Sequence, residues 1–213
     1  MSFYSFSAYT ATSFLLIWKI EESVATLRSQ LPPQFLVDYH SSNLSSTDRI
    51  RQSLAVRVAL YHLLQKLALP ILVLSKNGQG QPILGDGRFH ISFTHTRYVA
   101  AVALSTVVPI GVDIEMVTPT LRRVQERFLT NKEVQNANHC LEQLAIYWAA
   151  KEALYKRLAN QKITTFKAIF IAPFVLQGKG KVIAHFNGRK YGMDYQQIAD
   201  SALPPHVLVC CAD

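Results

Sequence analysis

Cysteine is scarce in this sequence, and its scarcity excludes two classes of protein. The three cysteines are Cys140, Cys210 and Cys211, an odd number with two of them adjacent. That is neither a disulfide framework nor a metal-binding spacing, so a reducing cytoplasm is the expected compartment. Long hydrophobic runs are lacking too. The most apolar stretches, 13–18 and 67–74, are too short or too broken to span a bilayer. The first residues carry no basic flank or cleavage-site pattern of a signal peptide. There is no dense Lys/Arg run and no helix-turn-helix, zinc-finger or RNP signature, which leaves sequence-specific nucleic-acid binding resting on net charge alone. Acidic residues are few: 14 against 22 Lys and Arg, a formal net charge of +8. Such a balance favours polyanionic partners, whether nucleic acid, a phosphorylated cofactor or an acidic protein, and does not choose among them.

What is present is a folding chain. Its 213 residues are 49% hydrophobic, enough for one sizeable core or two lobes of roughly 100 residues each. Ser, Thr and Tyr alternating among Phe and Leu over 3–20 predict one or two strands. A short helix is expected over 21–30, stopped at Pro32-Pro33. The Ser/Asn-rich stretch 41–48 offers Ser46, Thr47 or Asp48 as N-cap for a long helix over about 49–67, with Leu54, Val58, Tyr61, Leu64 and Ala68 on one stripe. Turn-rich segments at 77–82 and 85–87 precede a strand of alternating Phe89, Ile91 and Phe93, which delivers Thr94-His95-Thr96 at its end, and 99–104 forms the next strand. Further on come an apolar strand at 110–115, a short basic helix at 122–128 and a capping box at Thr130 and Glu133. A helix over about 140–159 follows, then strands at 166–172, 179–186 and 207–211. Strands, helix and strands, twice over, predict an α+β fold of two lobes, 1–108 and 109–213.

Chemistry concentrates at Ile110-Gly111-Val112-Asp113-Ile114-Glu115. The strand period of two puts Asp113 and Glu115 on one face and Val112 and Ile114 on the other. Two like charges side by side on an apolar strand repel and resist burial. A bound cation resolves this, and an all-oxygen site suits Mg²⁺; a strand ending in solvent resolves it as well. On the later helix the stripe Leu141, Ala145, Trp148, Glu152, Tyr155, Ala159 is apolar or aromatic except at Glu152. Either Lys156 pairs with Glu152 in an i, i+4 contact, or Glu152 reaches the cation held by Asp113 and Glu115. Arg49, Arg51 and Arg57 are either solvated or aimed at an anion. His95 is either incidental or a phosphate donor.

Gly111-Val112-Asp113-Ile114-Glu115, followed by Trp148-Ala149-Ala150-Lys151-Glu152-Ala153-Leu154-Tyr155-Lys156, closely resembles the signature of the 4′-phosphopantetheinyl transferases. Ile91-Ser92-Phe93-Thr94-His95-Thr96, Gly80-Gln81-Pro82, and Arg127-Phe128-Leu129 with Glu133 resemble further motifs of that family, in the same order. The length and two-lobed layout resemble its monomeric, surfactin-synthetase-activator type. The resemblance covers roughly 48–160.

The resemblance implies a pseudo-dimer of two similar α+β lobes with coenzyme A in the cleft between them. It implies a cytoplasmic enzyme that moves the 4′-phosphopantetheine arm of coenzyme A to a serine of an apo acyl or peptidyl carrier protein, releasing adenosine 3′,5′-bisphosphate. By the same resemblance Asp113, Glu115 and Glu152 match the Mg²⁺ ligands, and Glu152 or a metal-bound water takes the serine proton. Lys156 contacts the phosphates and stabilises the leaving group. Thr94 and His95 lie near the cofactor cleft and the 3′-phosphate, with Arg49 and then Arg57 as nearest arginines to that phosphate. Glu133 matches a carboxylate near the metal. Arg122, Arg123 and Arg127 are by default a solvated basic helix face, and alternatively help hold the carrier. Departures are Gln81 for the usual lysine and Thr94 and Thr96 for serines. A catalytically inactive protein of the same fold that binds coenzyme A or a carrier is the alternative, set against the presence of all three carboxylates and the lysine.

Overall fold

The apolar strands pair into antiparallel sheets, and helices pack on the two larger ones. A computed structural model describes residues 3–37, 46–159, 161 and 163–212. The chain divides into two compact units, Met1–Pro109 and Ile110–Asp213. Each mixes helix and sheet, so the fold is α+β, as the order of elements predicts.

In the first unit β1 (Phe3–Ala8), β2 (Ser13–Lys19), β5 (His90–His95) and β6 (Val99–Ser105) form a sheet in the order β1-β2-β6-β5. Strands β3 (Leu74–Lys76) and β4 (Pro82–Leu84) form a small hairpin. Helix α1 (Val24–Ser29) is capped by Ser23. Helix α2 (Thr47–Lys66) opens at Ser46, whose hydroxyl accepts from the Arg49 N–H; residues 41–45 of the Ser/Asn-rich stretch lie outside the described residues. Its buried face, including Leu54, Val58, Leu60 and Leu63, packs with Leu16, Trp18, Val102 and Leu104 of the sheet. Ala68, expected on the stripe, is instead exposed beyond the helix end, at a φ of 51°.

In the second unit β7 (Gly111–Met116), β8 (Phe170–Ile171), β9 (Lys179–Phe186), β10 (Arg189–Ile198) and β11 (His206–Cys211) form a sheet in the order β7-β11-β10-β9-β8. Helices α3 (Thr120–Val124) and α4 (Asn131–Ala137) lead to the long α5 (Leu141–Arg157), which packs on β7 and β11. Two expectations change here. The strand expected over 166–172 is a 3₁₀ turn at Phe166–Ala168 followed by the two-residue β8. Strand β10 is new: Asn187 and Gly188, with φ of 49° and 72°, close the tight β9–β10 hairpin. Among the described residues, no helix is long and apolar enough to cross a membrane.

Candidate active site

The site is built by close approach of α5 to β7. Gly111 begins β7, and a Cβ there would overlap the Ala153 carbonyl oxygen and stand 2.9 Å from the Arg157 nitrogen. Alanines on the facing side of the helix, Ala149, Ala150 and Ala153, are all buried in the same core. Small residues on both elements thus bring backbone against backbone. Because Gly111, Asp113 and Glu115 share one face of the strand, the approach that Gly111 permits sets both carboxylates on the side that faces α5.

The strand is buried from Gly111 to Ile114, with Asp113 itself 6% exposed, and Glu115 is half-buried at its end. A carboxylate held so far from water needs a cation. Lys156, in the last turn of α5, supplies one: its Nζ lies 2.6 Å from Asp113 Oδ1 and donates also to the Val112 carbonyl at 3.1 Å. Lys156 thus directs its ammonium to Asp113 while its charge still acts on Glu152. Glu152 is half-buried one turn earlier.

The three carboxylates feel one another. Burial first, then the charges of Asp113 and Glu152, push the Glu115 carboxyl up to about 7. Burial and then Asp113 raise Glu152, with Lys156 pulling the other way. An all-oxygen donor set of mutually repelling, desolvated carboxylates is the chemistry that a hard divalent cation satisfies. Among the described residues, no group of three or more His, Cys, Asp and Glu side chains is gathered tightly enough to hold a metal ion, and Lys156 occupies Asp113.

The stripe read from the sequence on α5 is shifted. Tyr155 is 44% exposed, whereas Leu144, Ala149, Ala150, Ala153 and Leu154 are buried. The stripe follows the helix rim, because large residues mark it while the alanines that touch the sheet carry little hydrophobic weight. Glu152 therefore lies at the margin and interrupts no buried row. The charge that does enter the core is Lys151, fully buried and missed by the sequence reading. Its ammonium lies 2.9 Å from both oxygens of Glu133 and donates to the carbonyls of Phe128, Phe166 and Ile169 at 2.9, 3.2 and 2.6 Å. Those bonds turn the Phe166 and Ile169 carbonyls toward Lys151 within the segment expected as a strand over 166–172. Glu133 itself is fully buried, caps α4 through the Thr130 N–H and hydroxyl, and accepts from the Ile171 N–H, so it works as a structural anchor.

In the first unit, Arg57 departs from its expected role. It is 4% exposed, and it donates to the carbonyls of Phe35 and Ser53 and to the Ser53 hydroxyl, tying α2 to the 3₁₀ turn at Pro33–Phe35. Arg49 is exposed near the start of α2. At the end of β5, Thr94 is buried and His95 exposed. Gln81, at the position of the expected lysine, accepts from Asn77 Nδ2 at 2.9 Å and braces the β3–β4 turn. Of the basic residues after β7, Arg122 donates to the His139 carbonyl and Arg123 to the Thr120 hydroxyl, and Arg127 is exposed.

Residues 109–211 match the family described as the 4′-phosphopantetheinyl transferase superfamily. The match covers a little under half of the chain, nearly all of the second unit, and contains Asp113, Glu115, Glu152 and Lys156. The similarity to the phosphopantetheinyl transferase superfamily is therefore carried by residues 109–211. No curated protein matches the chain.

Proposed function

We propose that the protein transfers the 4′-phosphopantetheine arm of coenzyme A to a serine hydroxyl of an apo carrier protein, in the manner of the monomeric, surfactin-synthetase-activator type. The observation that carries this reading is that Asp113, Glu115 and Glu152 act on one another electrostatically beside Lys156, which contacts Asp113, inside the matched domain. Asp113, Glu115 and Glu152 would hold Mg²⁺, which when bound neutralises charge on the pyrophosphate. The serine oxygen bonds to the phosphorus that bears the pantetheine arm. The pyrophosphate P–O bond breaks, and adenosine 3′,5′-bisphosphate leaves. Glu152, whose proton affinity is raised by burial and by Asp113, accepts the serine proton. Lys156 offers its ammonium to the phosphates as charge passes to the leaving group.

Arg49, Thr94 and His95 are the proposed contacts of the coenzyme's phosphates; Arg57 is dropped from that group. The net charge of +8 suits a polyanionic substrate and an acidic carrier. The Lys156–Asp113 contact favours a second reading, a protein that binds coenzyme A or a carrier without transfer. Incubation with coenzyme A, Mg²⁺ and a panel of apo carrier proteins, followed by intact-mass analysis, separates the two. Transfer adds the phosphopantetheine mass to a carrier; binding alone does not.

A further inference from the structure

Two lysines of α5 pair with carboxylates, and they do so differently. Lys151 and Glu133 are both fully buried, and five acceptor atoms surround the ammonium. That is a fixed strut. Lys156 meets Asp113 with the carboxylate side chain 9% exposed and the lysine side chain 28% exposed. Its stem comes from the last turn of the helix, with one carboxylate oxygen and one carbonyl as its acceptors in the contact. A lysine is a point charge on a flexible four-carbon chain with three rotatable donors, able to exchange one anion for another without rebuilding its surroundings. Asp113 is also the member of the trio whose charge bears on both Glu115 and Glu152. A second cation on Asp113 would stand close to the ammonium and be repelled by it.

We propose that Lys156 is the resident counter-ion of Asp113, which it gives up to the divalent cation when coenzyme A phosphates take the ammonium. The inference rests on the reading of the site given above. Its consequence is positive coupling: phosphate draws Lys156 from Asp113 and opens that oxygen to metal, and by linkage metal favours phosphate to the same degree. The residue then does two jobs in sequence, first as a placeholder for the metal and then as a phosphate ligand.

The test is binding of Mn²⁺ to the full chain, followed by the free-ion electron paramagnetic resonance signal, with and without coenzyme A. Wild type is compared with Lys156→Met and Lys156→Gln, and with Lys190→Met as a control for loss of an exposed positive charge in the same unit. Without coenzyme A, both Lys156 variants should bind Mn²⁺ at least fivefold more tightly than wild type, and Lys190→Met should not. Coenzyme A should tighten Mn²⁺ binding by a larger factor in wild type than in either variant. Equal or weaker Mn²⁺ binding by folded Lys156 variants overturns the inference while leaving the metal site itself intact. Failure of every protein to bind Mn²⁺ even with coenzyme A overturns the metal reading and this inference with it. Should the variants not fold, wild type alone decides by mass-mapped acetylation: Mn²⁺ should increase labelling of Lys156 and coenzyme A should then protect it, and an unchanged rate with Mn²⁺ overturns the inference.

Discussion

Gly111 lies against the carbonyl of Ala153, leaving no room for a side chain where β7 meets α5. The contact decides how near Glu152 and Lys156 stand to Asp113 and Glu115. Gly111→Ala must push helix from strand, at a cost of about 1–3 kcal/mol, in the range of overpacked cores. Urea unfolding should show that loss, and transfer activity in the surviving folded fraction should fall by more than an order of magnitude. Wild-type stability in Gly111→Ala would contradict the close approach.

The Lys151–Glu133 pair makes a prediction of opposite logic. Lys151→Met strands a buried carboxylate, and breaking a buried pair in this way costs about 3–5 kcal/mol. Adding Glu133→Leu removes the stranded charge, yet it also removes the acceptor of the Ile171 and Thr130 N–H groups. The double variant should therefore recover only part of the loss. A double-mutant cycle read by chemical denaturation measures this, and strictly additive losses would mean that the two residues do not act as a pair.

Stability should depend on pH through Glu115. Its carboxyl is raised from 4.5 to about 7 in the folded chain, so the folded state favours the protonated form. The stabilisation is complete below about 4.5 and is lost as pH rises through about 7, a fall on the order of 1–3 kcal/mol. Thermal unfolding in EDTA between pH 5 and 8 should show the decline, and Glu115→Gln should flatten it. Mg²⁺ should oppose it by favouring the ionised carboxylate. An equal slope in Glu115→Gln would assign the titration elsewhere.

A buried histidine acts with the opposite sign. His206 is 1% exposed at the start of β11, its Nδ1 2.6 Å from the Pro204 carbonyl, and burial holds its pKa below the usual 6.5. Its contribution is present above 6.5 and lost as pH falls through the lower folded value, with a slope of at most about 1.4 kcal/mol per pH unit. His206→Gln should reduce the acid sensitivity of the second unit as followed by Trp148 fluorescence.

Much of this was legible in the sequence. Alternation placed β5, apolar runs placed β6 and β7, and Thr130 with Glu133 announced a capping box that the structure contains in full. Asp113 and Glu115 drew attention because like charges on an apolar strand are costly. What escaped has physical causes. The buried face of α5 is made of alanines, which periodicity barely weighs, so Glu152 was read as interrupting a row that lies elsewhere. Lys151 escaped because a lysine in a helix is ordinarily solvated, and only the folded chain shows five acceptors converging on it. Strand β10 escaped although Asn187-Gly188 and the alternation of Tyr191, Met193 and Tyr195 both signalled it. Arg57 could not be assigned from sequence at all, since its partner carbonyl on Phe35 lies 22 residues away.

The most direct measurement is intact-mass analysis of apo carrier proteins incubated with this protein, coenzyme A and Mg²⁺, beside parallel reactions with EDTA and with Glu152→Gln. The expected result is a phosphopantetheine mass gain on at least one carrier, absent with EDTA and reduced at least 100-fold by Glu152→Gln, a loss in the range for a general base. A gain that persists undiminished in both controls would contradict the assignment of Asp113, Glu115 and Glu152. No gain on any carrier, with no binding of coenzyme A, would contradict phosphopantetheine transfer as the function.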